Sequence, residues 1–257
     1  VKKKLHIFGC SHSNYHALEK DKLDWRNNGR KSKAWANFWG ERLANELGVR
    51  LYPRIGLNGK NIESILVDIY ERILANHISK DDIVLLNTSY PLRFGTPRLQ
   101  GYARTADQDY SGVEYEIEYI LGVKKIPGYS DRLKKELTFD LWYKQTFAAK
   151  KLLSSVCNNV YQWTLLDTEY LDSTFTTIQE KYAMLDKPPQ FEGCEGINQG
   201  LNSWKNLIKH PEDSKDWDSW ILSNSIGHIE GDFRDGHLHS DIYKTFVKYL
   251  LEGMHND

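Results

Sequence analysis

What most narrows the fold of this chain is a unit that appears twice near its amino terminus: a short apolar strand, a loop of glycine and small polar residues, and an amphipathic helix. Leu5-His-Ile-Phe alternates and runs into Gly9-Cys-Ser-His-Ser, where a tight turn is expected. Trp35, Phe38, Trp39, Leu43 and Leu47 then recur at three- and four-residue steps, the spacing of one helical face, and Gly48 stands where the left-handed residue that closes a helix belongs. Val49-Arg-Leu-Tyr-Pro restarts the cycle as a second strand. Gly56-Leu-Asn-Gly59-Lys-Asn61 is its loop, and Ile62, Ile65, Ile69 and Ile73 mark its helix. Asp81-Asp-Ile-Val-Leu-Leu-Asn87 is a continuous apolar run behind a polar boundary, the pattern of a strand buried on both faces and the expected centre of the sheet. Strands alternating with helices imply an α/β fold with a parallel, doubly wound sheet, because a parallel neighbour is reached only by a crossover.

Between Phe94 and about Thr138 the periodicity dissolves into Gly, Pro, Tyr and mixed charge, which reads as an insertion over one face. A helix resumes from Phe139 to Leu153, and Asn159-Val-Tyr-Gln-Trp-Thr-Leu-Leu is a fourth strand. Residues 170–220, with Lys187-Pro-Pro-Gln, three glycines and Trp204, Trp217 and Trp220, predict an irregular or short-helical cap whose tryptophans serve mainly as core. Ile242, Phe246, Tyr249 and Leu250 then place a last helix over Ser240–Glu252. A length of 257 residues suits one such domain, residues 1–257, carrying insertions at about 94–138 and 170–220.

Charge and cysteine content remove several classes of function. Lys and Arg total 34 against 35 Asp and Glu, so no overall positive field is available to hold nucleic acid. Cys10, Cys157 and Cys194 are odd in number and far apart, which excludes a fully paired disulfide framework and a Cys-x-x-Cys metal knuckle. Three apolar residues, Leu5, Ile7 and Phe8, follow the basic start before Gly9, too few for a secretion signal, and no membrane span is seen. A cytoplasmic protein with a small-molecule partner, neither nucleic acid nor membrane, is the expectation.

Ligands of a doubly wound sheet sit outside the carboxyl ends of its strands. Gly9-Cys-Ser-His-Ser, Gly56-Leu-Asn-Gly59 and Asn87-Thr-Ser fall there, and Asp235-Gly-His precedes the last helix. A serine attacks at neutral pH only when a histidine takes its proton and a third group holds that imidazole. Ser11, His237 and Asp235 supply those types, while the backbone N–H groups of Ser11 and Gly59 and an asparagine side chain are candidate oxyanion donors.

In the order of these motifs the chain resembles the SGNH (GDSL-like) hydrolases. Gly9-Cys-Ser11 matches the Gly-Asp-Ser turn with Cys10 in place of aspartate, Gly59 matches the second motif, and Asp235-Gly-His237 with Tyr243 and Phe246 is similar to the carboxyl-terminal one. The third motif, Gly-x-Asn-Asp, is replaced by Asn87-Thr-Ser-Tyr-Pro-Leu-Arg93. The resemblance implies a three-layer α/β/α sandwich around a mostly parallel, flavodoxin-like sheet. It also implies a serine esterase with Ser11 as nucleophile, His237 as base and Asp235 orienting it. Ser11, Gly59 and Asn87 would form the oxyanion hole, and no metal or other cofactor would be needed. His239, four residues after Asp235, competes with His237 for the role of base. Arg93 and His12 are candidate substrate contacts, with a local ion pair and a solvated or capping role as their competitors. Cys10 reads as a small buried filler. An acyl ester, plausibly a carbohydrate O-acetyl group, is the expected substrate. Two alternatives stand beside it: a metallohydrolase using Asp232, Asp235, His237, His239 and Asp241, and a non-catalytic binding protein on the same scaffold.

Overall fold

A computed structural model describes residues 2–13, 24, 27–53, 62–88, 131–165, 207–224, 238 and 242–255. In chain order its elements are β1 (Lys4–Phe8), α1 (Lys33–Ala36), α2 (Trp39–Glu46), β2 (Arg50–Leu51), α3 (Ile62–Leu74), β3 (Ile83–Asn87), α4 (Asp131–Val156), β4 (Asn159–Trp163), α5 (Trp217–Asn224) and α6 (Tyr243–His255). The four strands form one sheet in the order β2-β1-β3-β4, and every pairing is parallel. A parallel bridge from Gln162 to Leu207 continues the sheet beyond β4. β3 is thus interior, as its unbroken apolar run predicts, and β1 beside it is interior too.

Alternation along the strands sorts side chains into two buried clusters. Leu5, Ile7, Leu85 and Trp163 pack with residues of α2, α5 and α6, whereas Phe8, Val84, Leu86 and Val160 pack with residues of α3 and α4. In the first cluster the Trp163, Trp217 and Phe246 rings meet edge to face at centroid separations of 5.3 to 5.7 Å, and Trp39 meets Phe246 at 5.1 Å. Each such pair adds about 0.5–1.5 kcal/mol beyond the area it buries. Trp217 and Trp220 are therefore core residues, at 1% and 2% exposure.

Two helices differ from their expected outlines. The helix read over Trp35–Leu47 is broken, because Phe38 leaves helical geometry at φ −56°, ψ 135°. Trp35, Phe38 and Trp39 are all buried despite the break. Its end matches the sequence: Gly48 takes φ 65°, and Val49 N–H bonds to Ala44 O at 2.9 Å, the closing bond of a Schellman motif. The helix expected from Phe139 begins at Asp131 instead. Its first turns, Asp-Arg-Leu-Lys-Lys-Glu-Leu, hold strong helix formers, and Leu133, Leu137 and Leu141 at four-residue steps continue one apolar line into the helix. Among the described residues no helix is long and apolar enough to cross a membrane.

Candidate functional site

The strand order puts a topological switch point between β1 and β3. The chain leaves β1 toward β2 on one side and returns to β3 on the other, and the carboxyl ends of β1 and β3 are where a sheet of this order offers its ligand crevice. Gly9-Cys10-Ser11 leaves β1 at that point and Asn87-Thr88 ends β3 beside it. Residues Ser11–Ser13 form a single 3-10 turn, closed by a 3.0 Å bond from Ser13 N–H to Cys10 O. Gly9 is required by close approach: a Cβ there would run into Ser13 Oγ and stand 2.8 Å from Asn87 Cβ, so these two side chains face each other across the glycine.

Cys10 and Asn87 are both fully buried, and the Cys10 thiol donates to Asn87 Oδ1 at 3.2 Å. The other end of the amide, Asn87 Nδ2, has no hydrogen-bond partner. The same holds for Ser13 Oγ and Thr88 Oγ1 at the carboxyl ends of β1 and β3, and for Gln162 Nε2 and Trp163 Nε1 at the end of β4. A buried polar atom left unpaired costs about 1–3 kcal/mol, and native interiors hold few of them. Such atoms also occur away from the switch point, His6 Nδ1 and Trp39 Nε1 among them, but Asn87 Nδ2, Ser13 Oγ and Thr88 Oγ1 lie together at the carboxyl ends of β1 and β3.

Of the residues singled out in the sequence, Asn87 lies against Gly9 and Cys10, which lead directly into the turn that begins at Ser11. His12 is buried in the same turn, which removes its solvated reading. The side chain of Ser11, and Gly59, Arg93, Asp235, His237 and His239, lie outside the described parts, as does the proposed metal set from Asp232 to Asp241. Leu238, between the two candidate bases, is buried at 4% exposure and belongs to the same cluster as Cys10, together with Tyr243 and Phe246 of α6. No group of three or more His, Cys, Asp or Glu side chains suited to a metal ion occurs among the described residues.

Sequence reasoning did not single out Ser13 or Thr88, and it took Cys10 only as filler. Their signal was positional: each is a small side chain directly after an interior parallel strand. Glu63, on the first turn of α3 and following the loop of Gly59, was also passed over. Burial pushes its carboxyl above the usual range, against the opposing effects of its own backbone N–H and of Gln145. Comparison with protein-family models, with curated proteins and with solved structures finds no match to this chain.

Proposed function

We propose that the chain is a serine esterase of the SGNH type, with a three-layer, flavodoxin-like architecture. The order β2-β1-β3-β4, its continuation at Leu207 and the separate clusters on the two sheet faces all support that architecture. In this reading Ser11 attacks the carbonyl carbon of an acyl ester while His237 takes its proton and Asp235 holds the imidazole. The alcohol departs with that proton, and water releases the acyl group by the same route in reverse. The oxyanion formed at each addition is met by the N–H groups of Ser11 and Gly59 and by Asn87 Nδ2.

The observation that carries the proposal is the Asn87 amide, fully buried, unpartnered at Nδ2 and next to the turn that holds Ser11. A buried donor held in place by the protein needs little reorganisation when charge develops, which is the condition for electrostatic stabilisation of a transition state. The Ser-His-Asp roles rest on the order of the motifs and on Leu238 in the cluster of Cys10. Carbohydrate O-acetyl esters are the substrate class we favour, although Trp217 and Trp220 serve the core and leave sugar stacking to other aromatics. The test is a panel of acetylated sugars and simple acetyl esters, assayed with and without a chelator. Wild type is expected to hydrolyse at least one regardless of chelation, and Ser11→Ala to lose about three or more orders of magnitude in kcat. Undiminished turnover in Ser11→Ala, or activity abolished by the chelator, would refute the assignment.

A further inference from the structure

Resting on the esterase reading, we infer that Cys10 is a positioning residue that fixes which end of the Asn87 amide faces the reacting carbonyl. An asparagine side chain has an acceptor at one end and a donor at the other, and a half-turn about its last bond exchanges them. Only one orientation offers a hydrogen to an oxyanion; the reverse would present a carbonyl oxygen and repel it. Something must choose. At the end of β3 the choice falls to the thiol: Cys10 S–H donates to Asn87 Oδ1 at 3.2 Å, which commits the oxygen inward and leaves Nδ2 as the free end. A thiol suits this task. It is a weak acceptor, so it rewards the correct orientation over the reversed one, and it carries no charge into a site where both residues are fully buried.

The register makes the pairing specific. Phe8 pairs with Leu86 in the parallel ladder, so the chain beyond Phe8 leaves the sheet alongside Asn87. Gly9, which admits no Cβ against Asn87, lets Cys10 follow into contact. In a chain whose first motif carries Cys10 where the resembled pattern carries aspartate, the replacement keeps the catalytic amide aimed without a carboxylate beside it.

The experiment is a double-mutant cycle joined to a spectroscopic readout. Cys10→Ala is expected to lower kcat about tenfold with KM unchanged, Cys10→Ser to retain most of the activity through its hydroxyl, and Cys10→Ala to add nothing further once Asn87→Ala is in place. The infrared S–H stretch supplies a measure independent of turnover. The difference spectrum between wild type and Cys10→Ala assigns the Cys10 band among the three cysteines, of which Cys157 bonds Asp82 O at the opposite end of the sheet. The band should move to the higher frequency of a weaker bond when Asn87 is removed. An unmoved band overturns the inference, and so does a Cys10→Ala effect of equal size in both backgrounds or spread equally over kcat and KM. A band that shifts in a protein with no ester turnover would refute the esterase reading while upholding the contact.

Discussion

At the amino-terminal ends of β1 and β3, Asp82 accepts hydrogen bonds from Lys4 N–H and Ser79 N–H, each at 2.8 Å, and from His6 Nε2 at 3.3 Å. Its own carbonyl receives Cys157 Sγ and Asn159 Nδ2. At the carboxyl ends of the same two strands, Asn87 Nδ2, Ser13 Oγ and Thr88 Oγ1 are equally buried and have no partner. The two ends share one backbone geometry and one depth of burial, so the difference lies in how their polar groups are spent. One end ties the strands together. The other leaves buried donors unpaired, at the end where the proposed oxyanion hole lies. The contrast is between one carboxylate that gathers several donors and one amide whose donor end has none.

The comparison can be broken at either end. The largest effect on stability is expected from Asp82→Ala, which strands two backbone N–H groups and the His6 ring: about 3–5 kcal/mol in urea unfolding. A loss below about 1 kcal/mol would mean that the amino end is not the fastener described. Asn87→Ala should act the other way, lowering kcat about 10²–10³-fold while leaving the melting temperature nearly unchanged. Equal damage to folding and turnover would make Asn87 structural.

A pH titration sharpens the contrast at somewhat smaller size. Burial, aided by the nearby Arg72 charge and opposed by Asp82, lowers the pKa of His6 from 6.5 to about 4, so the folded state holds its ring neutral at neutral pH. Its Nε2–H faces Asp82, its Nδ1 has no partner, and the ring stacks on Tyr52 at 4.6 Å. Because the folded pKa lies below the unfolded one, the contribution is whole above about pH 6.5 and is lost as the pH falls toward 4, by about 3 kcal/mol in total. Asp82 follows at lower pH. Burial pushes its carboxyl up, but the Ser79 and Lys4 N–H groups and the His6 ring outweigh this and hold it below its usual 3.8. Stability measured from pH 7 to 4 should fall in wild type and stay flatter in His6→Phe; parallel curves would contradict the linkage. The smallest change is expected from Thr88→Val, which removes an unpaired hydroxyl: within about 0.5 kcal/mol of wild type, or stabilising. A cost above about 1.5 kcal/mol would show that Thr88 is bonded after all.

Much of the frame was legible because it rests on periodicity. The isoleucines of α3, the apolar run of β3 and Gly48 at φ 65° each follow from a local rule. The break at Phe38 was not legible, since no proline stands there and the ring spacing suits one helical face, and the early start of α4 was hidden because Leu133 and Leu137 read with the mixed segment before them. At the site, Ser11 and Asn87 were visible as polar residues at strand ends. The Cys10 thiol on Asn87 was not, because β1 and β3 lie far apart in sequence and only their parallel register brings the two side chains together. Buried, unsatisfied donors are likewise a property of packing, and no pattern of residue types announces them.

The most direct test of the account is the rate at which a fluorophosphonate probe labels the intact protein, with the adduct mapped by mass spectrometry. A single adduct on Ser11, formed rapidly in wild type and in Thr88→Val but about a hundredfold more slowly in Asn87→Ala at unchanged melting temperature, is the predicted result. An adduct on another residue, no adduct, or equal labelling rates with and without the Asn87 amide would contradict it.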